Sequence, residues 1–172
     1  IAIISTFFMI VVPAFLSRTI AGIPEKESAA FFFMFLAFYL FLKAWKTKKQ
    51  IPSIILGALS GLSTGAMGLI WGGVGYIFIV VAISTLLGFA LGKVKIKELS
   101  AYASWLVFAF GTLLTFSKRY TLMGLVTSTG NMIMTLTLFI IIIHFVIWNT
   151  KLKNLKILKK INLPKNIISL II

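Results

Sequence analysis

Hydrophobic residues fill this chain in long runs that short polar segments interrupt. The runs cover 1–16, 28–42, 51–71, 74–92, 99–116 and 120–148. Each approaches or exceeds the roughly 17 to 25 residues that an α-helix needs to cross a hydrocarbon core about 30 Å thick. The pattern therefore predicts an all-α protein, a polytopic transmembrane bundle of about six spans. All of 1–172 reads as part of one transmembrane domain, with a basic segment at 149–166 and the start of a further span at 167–172. The chain opens on IAIISTFFMIVV without Met or a basic leader and closes on NIISLII. Both ends fall inside apolar runs, so the expectation is an internal piece of a longer membrane protein.

The polar interruptions alternate in kind. KAWKTKK, KVKIK and KLKNLKILKK fall between runs on one side, together with Lys165. Arg18, Lys26, Lys118 and Arg119 fall on the other. Lysine-rich loops are normally cytoplasmic, so SRTIAGIPEKES (17–28), the turn Trp71-Gly72-Gly73 and SKRY (117–120) are expected to face outward. Trp71 and Tyr76 flank that outer turn, where amphipathic rings settle at the lipid headgroups.

Composition agrees with this layout. The chain is 60% hydrophobic, with a mean hydropathy of +1.08. Its net charge of +14 comes from 17 Lys+Arg against 3 Asp+Glu. In a membrane protein that excess belongs to cytoplasmic loops, and no nucleic-acid partner is implied. The absence of Cys excludes disulfides, thiolate metal sites and thiol nucleophiles. Glycines recur at i, i+4, as Gly57, Gly61 and Gly65, then Gly68 and Gly72, then Gly88 and Gly92. Such a stripe lets neighbouring helices approach closely, here expected within the chain itself.

Candidate chemistry is sparse. The carboxylates are Glu25, Glu27 and Glu98, and there is no Asp. Glu98, beside Lys95 and Lys97, reads as a solvated loop charge. His144, the lone His, sits in FIIIIHFVIW and reads as a packed or interfacial residue rather than a ligand. Catalytic triads, zinc sites and P-loops lack their parts.

The remaining pair, in PEKE, has two readings. Pro24 suits the first position of a helix, and carboxylates in a first turn complement its dipole. Alternatively the pair ligates a metal. In a regular helix Glu25 and Glu27 would diverge by about 200°, so convergence requires an irregular turn, which Gly22 and Pro24 permit. All-oxygen ligation would select a hard ion, Mg²⁺ or Mn²⁺. Two carboxylates cannot fill an octahedral shell, leaving room for water, a substrate phosphate or acidic groups from elsewhere in a longer protein. Lys118 and Arg119, on the same outer side, are candidates to attract an anionic phosphate, or else to anchor at lipid headgroups.

Several segments in order carry a resemblance. SRTIAGIPEKESAAFFFMFLAFYLFLKAWKT resembles the part of oligosaccharyltransferase catalytic subunits that reads Ser-Arg-(Ser/Thr)-x-Ala-Gly, an acidic-x-acidic motif, and an aromatic-rich span ending in Lys. AMGLIWGGVGYIFIV is similar to the family's Ala-Trp-Gly-Gly-Tyr-Val-Phe region, and GTLLTFSKRYTLMGLVTSTGNM, more weakly, to the loop and helix that follow. The likeness runs from about Ser17 to Trp148 and has an archaeal character within the GT-C glycosyltransferase superfamily.

The resemblance implies a membrane glycosyltransferase. It would move a glycan from a lipid-linked phosphate or pyrophosphate carrier to the Asn of Asn-x-Ser/Thr in an acceptor polypeptide, at the extracytoplasmic face of a prokaryotic plasma membrane. By position, Glu25 and Glu27 match the family's second acidic motif, implying a catalytic, metal-holding role with Mn²⁺ or Mg²⁺. The family usually has Asp at the first acidic position, where this chain has Glu25 after Pro24. The first acidic loop, the acceptor-side Glu motif and the Trp-Trp-Asp signature are expected elsewhere in the longer protein, so this piece alone is expected to be inactive. The alternatives are a small-molecule or lipid transporter and a non-catalytic membrane scaffold. Proton or cation coupling places acidic groups inside the bilayer, and no run here holds one centrally.

Overall fold

A computed structural model describes residues 2–11, 26–128 and 131–149. Its regular elements are helical throughout the described residues. They are α1 (Ala2–Val11), α2 (Lys26–Lys46), α3 (Gln50–Ile70), a 3₁₀ turn (Gly72–Val74), α4 (Gly75–Ala90), α5 (Ile96–Phe116), α6 (Leu122–Thr127) and α7 (Met132–Asn149). Four helical stretches are long and apolar enough to cross a membrane: Lys26–Lys46, Gln50–Ile70, Gly72–Ala90 and Ile96–Phe116. Where the pattern draws one run at 120–148, the chain forms two helices. α6 is 6 residues long and stops at Ser128, whose backbone is extended.

Helix α3 packs against both α2 and α5, and its small residues explain why. A Cβ built on Gly57 would lie 2.5 Å from the carbonyl oxygen of Ala101, and one on Gly65 would lie 2.5 Å from Thr112 Cβ. One on Gly61 would collide with the Trp105 carbonyl. The glycine stripe of α3 therefore lies flat on α5. Gly68 continues it against Leu113 and Val74, whereas Gly92 takes another role. With φ 70° it closes the C-terminus of α4, its N–H bonding Phe89 O while the Lys93 N–H bonds Gly88 O. This pair of bonds is a Schellman cap, which requires a left-handed residue.

Polar side chains tie the same helices together. Ser60 Oγ donates to Ala37 O at 2.7 Å, and Ser53 Oγ donates to Ala44 O at 2.8 Å, joining α3 to α2. Ser104 Oγ donates to Ile54 O at 2.9 Å, and Trp105 Nε1 donates to Thr64 Oγ1 at 3.0 Å, joining α5 to α3. Lipid tails are as apolar as the side chains, so helix association in a bilayer rests on close packing and such interhelical bonds. At the centre, fully buried Trp105 meets Phe41 and Phe78 edge-on, with ring centroids 5.8 and 5.6 Å away. Buried Tyr102 donates to Met134 O at 2.9 Å and draws α7 onto this core.

Candidate functional site

The two ends of the bundle carry different chemistry. At the lysine-rich end, Lys97 Nζ donates to Trp45 O at 2.8 Å and to Thr47 O at 2.5 Å. The loops KAWKTKK and KVKIK therefore do meet. Lys97 also pairs with Glu98 Oε1 at 2.9 Å, while Glu98 Oε2 accepts the Lys95 N–H at 2.9 Å. Glu98 is consequently not the solvated loop charge that its sequence neighbours suggest. It is 7% exposed, and by accepting the Lys95 N–H it caps the start of α5. Its role is to hold this end together. His144 also belongs here, its ring 4.9 Å from Phe89 and 5.5 Å from Phe145. Aromatic packing accounts for that position.

The opposite end gathers the segments that the sequence places outward. Glu27 lies in the first turn of α2, where the helix dipole favours a carboxylate. Phe31, one turn later on the same face, meets Trp71 edge-on with centroids 6.2 Å apart. Trp71 ends α3 with φ −139° and ψ 138°, turning the chain into the 3₁₀ turn. A side chain at Gly73 would strike the Trp71 indole, so the second glycine lets that ring fold back over the turn. A Cβ at Gly72 would lie 2.7 Å from Arg119 Nη2. The guanidinium of Arg119 thus rests on the turn, with Cζ 5.9 Å from the Tyr120 ring centroid. Tyr120 Oη donates to Gly68 O at 2.9 Å and fixes the SKRY loop to α3.

The start of α2, the Trp71-Gly72-Gly73 turn and the Arg119-Tyr120 loop are therefore brought to one end. Glu27 is half-buried, and Arg119 and Lys118 are exposed. Glu25, with the rest of 17–25, lies outside the described residues. Among the described residues no group of three or more His, Cys, Asp or Glu gathers in a way that could hold a metal. The Glu27 carboxylate has the hard oxygen donors that suit Mg²⁺ or Mn²⁺. One carboxylate is far short of an octahedral shell, so a metal here would need ligands from Glu25 and from beyond the described residues.

Sequence reasoning missed the two tethers that assemble this end, Phe31 on Trp71 and Tyr120 on Gly68. The available signal was aromatic placement at the ends of three runs. That pattern also fits simple headgroup anchoring, so it did not specify contacts.

A bundle of membrane-length helices, stapled at its lysine-rich end and carrying an acidic helix start beside an arginine-capped turn at the other, defines a polytopic membrane protein with one chemically distinct face. The chain belongs to the oligosaccharyl transferase STT3 family: the description "Oligosaccharyl transferase STT3, N-terminal" matches residues 1–170. It is 33% identical over 103 residues to the dolichyl-diphosphooligosaccharide–protein glycosyltransferase subunit STT3A of Oryza sativa subsp. japonica, covering 60% of this chain and 12% of that protein. It is 30% identical over 105 residues to the corresponding subunit STT3 of Saccharomyces cerevisiae, covering 61% of this chain and 14% of that protein. The matched regions thus span about one-eighth of the length of these relatives. No solved structure matches the chain significantly.

Proposed function

We propose that this chain is part of a membrane glycosyltransferase that transfers a lipid-linked oligosaccharide to the Asn of Asn-x-Ser/Thr sequons in acceptor polypeptides. The observation that carries the reading is the family match across residues 1–170. In it, the face bearing Glu27, Trp71 and Arg119 is extracytoplasmic and meets the lipid-linked phosphate. Glu25 and Glu27 supply oxygen ligands to a divalent ion, Mn²⁺ or Mg²⁺, completed by other parts of the full-length protein. Such an ion offsets charge on a departing phosphate. Arg119, and less directly Lys118, present positive charge to the same anionic group.

The test is glycan transfer to a sequon peptide by the full-length protein. Glu25→Gln keeps size and hydrogen bonding but removes the charge a hard cation needs, so transfer should fall by about 10² or more while folding is retained. Glu27→Gln should fall less, with partial rescue of either variant by raised Mn²⁺. Weakening a helix start alone costs only about 0.3 to 1 kcal/mol of stability. Near-normal transfer by the double variant at ordinary metal concentration would reduce PEKE to a helix start.

A further inference from the structure

A groove of about 570 Å³ opens between α2 and α4 in the half of the bundle toward the lysine-rich end, among Phe38, Phe41, Trp45, Val81, Thr85 and Lys93. We propose that it binds one anionic membrane phospholipid, with an acyl chain between the two helices and the phosphate at Lys93.

Three observations support that occupant. First, the walls are almost wholly apolar along the depth of the bilayer, and the cationic group lies at one end. Lys93 is exposed and follows directly on Gly92, so the Schellman cap of α4 directs the chain at the mouth of the groove. Lys95, also exposed, follows two positions on, and basic pockets between transmembrane helices on the cytoplasmic side are established headgroup sites. Second, the groove runs between apolar side chains of two neighbouring helices, Phe38, Phe41 and Leu42 on α2 and Val80, Val81 and Leu87 on α4, where a flexible hydrocarbon chain can lie. Third, the space is maintained by residue choice. Gly88 borders the groove, and a Cβ there would lie 3.1 Å from Trp45 Cζ2.

The experiment uses the full-length protein in detergent, with phosphatidylglycerol and phosphatidylcholine of identical acyl chains added as probes and retention read by native mass spectrometry. Wild type should retain one phosphatidylglycerol about fivefold better than phosphatidylcholine, the size expected for one lysine at an anionic surface. Lys93→Gln should remove that preference. Ser84→Phe, placed at an exposed lining position that tolerates a large apolar side chain, should expel both lipids. Lys48→Gln, at the same end but outside the groove, should change nothing. A phosphatidylglycerol carrying a photoreactive acyl chain should label the peptides that contain Phe38 or Val81. Retention by Ser84→Phe equal to wild type, equal losses in Lys48→Gln and Lys93→Gln, or photolabel confined to other peptides would each overturn the proposal. The last result would mean that the remainder of the protein covers the groove. None of these readouts depends on glycan transfer, so failure here and failure of the proposed function are distinguishable.

Discussion

Tyr120 Oη donates to the backbone carbonyl of Gly68 at 2.9 Å, across 52 positions of sequence. That bond fastens the SKRY loop to the last turn of α3, one turn before the Trp71-Gly72-Gly73 reversal. It explains how Arg119 comes to rest against Gly72. Two segments that look independent in the sequence form one surface.

Arg119 and Tyr120 are therefore expected to act together. In the full-length protein, Arg119→Gln should raise the donor concentration needed for half-maximal transfer, and Tyr120→Phe should do so more weakly by loosening the loop. The lost hydrogen bond should also cost about 0.5 to 1.5 kcal/mol of stability. Unchanged donor dependence in Arg119→Gln would leave that residue a headgroup anchor.

The glycine stripe makes a paired prediction. Gly61→Ala drives a methyl into the Trp105 backbone and should destabilise the bundle by about 1 to 3 kcal/mol. Gly111→Ala meets nothing within 4 Å. It should be neutral or stabilising by up to about 1 kcal/mol, because Gly is a poor helix former. Thermal melts of both variants in one detergent decide the matter, and equal melting points would remove the stripe from the packing account.

At the lysine-rich end, Glu98→Gln should behave differently from Glu98→Ala. Gln can still accept the Lys95 N–H and complete the cap, losing only the ion pair with Lys97. Ala loses both, so it should be the more destabilising by about 1 kcal/mol. Lys97→Met should match or exceed Glu98→Gln, because it also strips donors from Trp45 O and Thr47 O. Indistinguishable melts for Glu98→Gln and Glu98→Ala would mean that the cap contributes nothing.

Topology can be checked without activity. The native chain has no Cys, and both Lys48 and Lys118 are exposed. In intact cells a cysteine at Lys118 should react with an impermeant thiol reagent, while one at Lys48 should be protected until the membrane is opened. The reverse pattern would put the Glu27 end on the cytoplasmic face.

The sequence by itself determined the helical class and the sorting of loops to two ends. Run length is a local property set by bilayer thickness, and lysines mark loop sides one residue at a time. It also determined the family, because motif order survives without coordinates. The tertiary structure decided what depends on residues far apart. Glu98 reads as solvated beside Lys95 and Lys97, yet folding brings the Trp45 and Thr47 carbonyls onto Lys97 and encloses the ion pair. The run 120–148 reads as one span, yet it is divided after Thr127, where Ser128 is extended. The stripe of Gly57, Gly61 and Gly65 announces a close neighbour, but hydropathy does not say which helix. The backbone of α5 settles it, because ridge and groove must fit in three dimensions. The same holds at the end opposite the lysine-rich loops, where Phe31, Trp71, Arg119 and Tyr120 become one surface only because α2, α3 and α5 pack side by side.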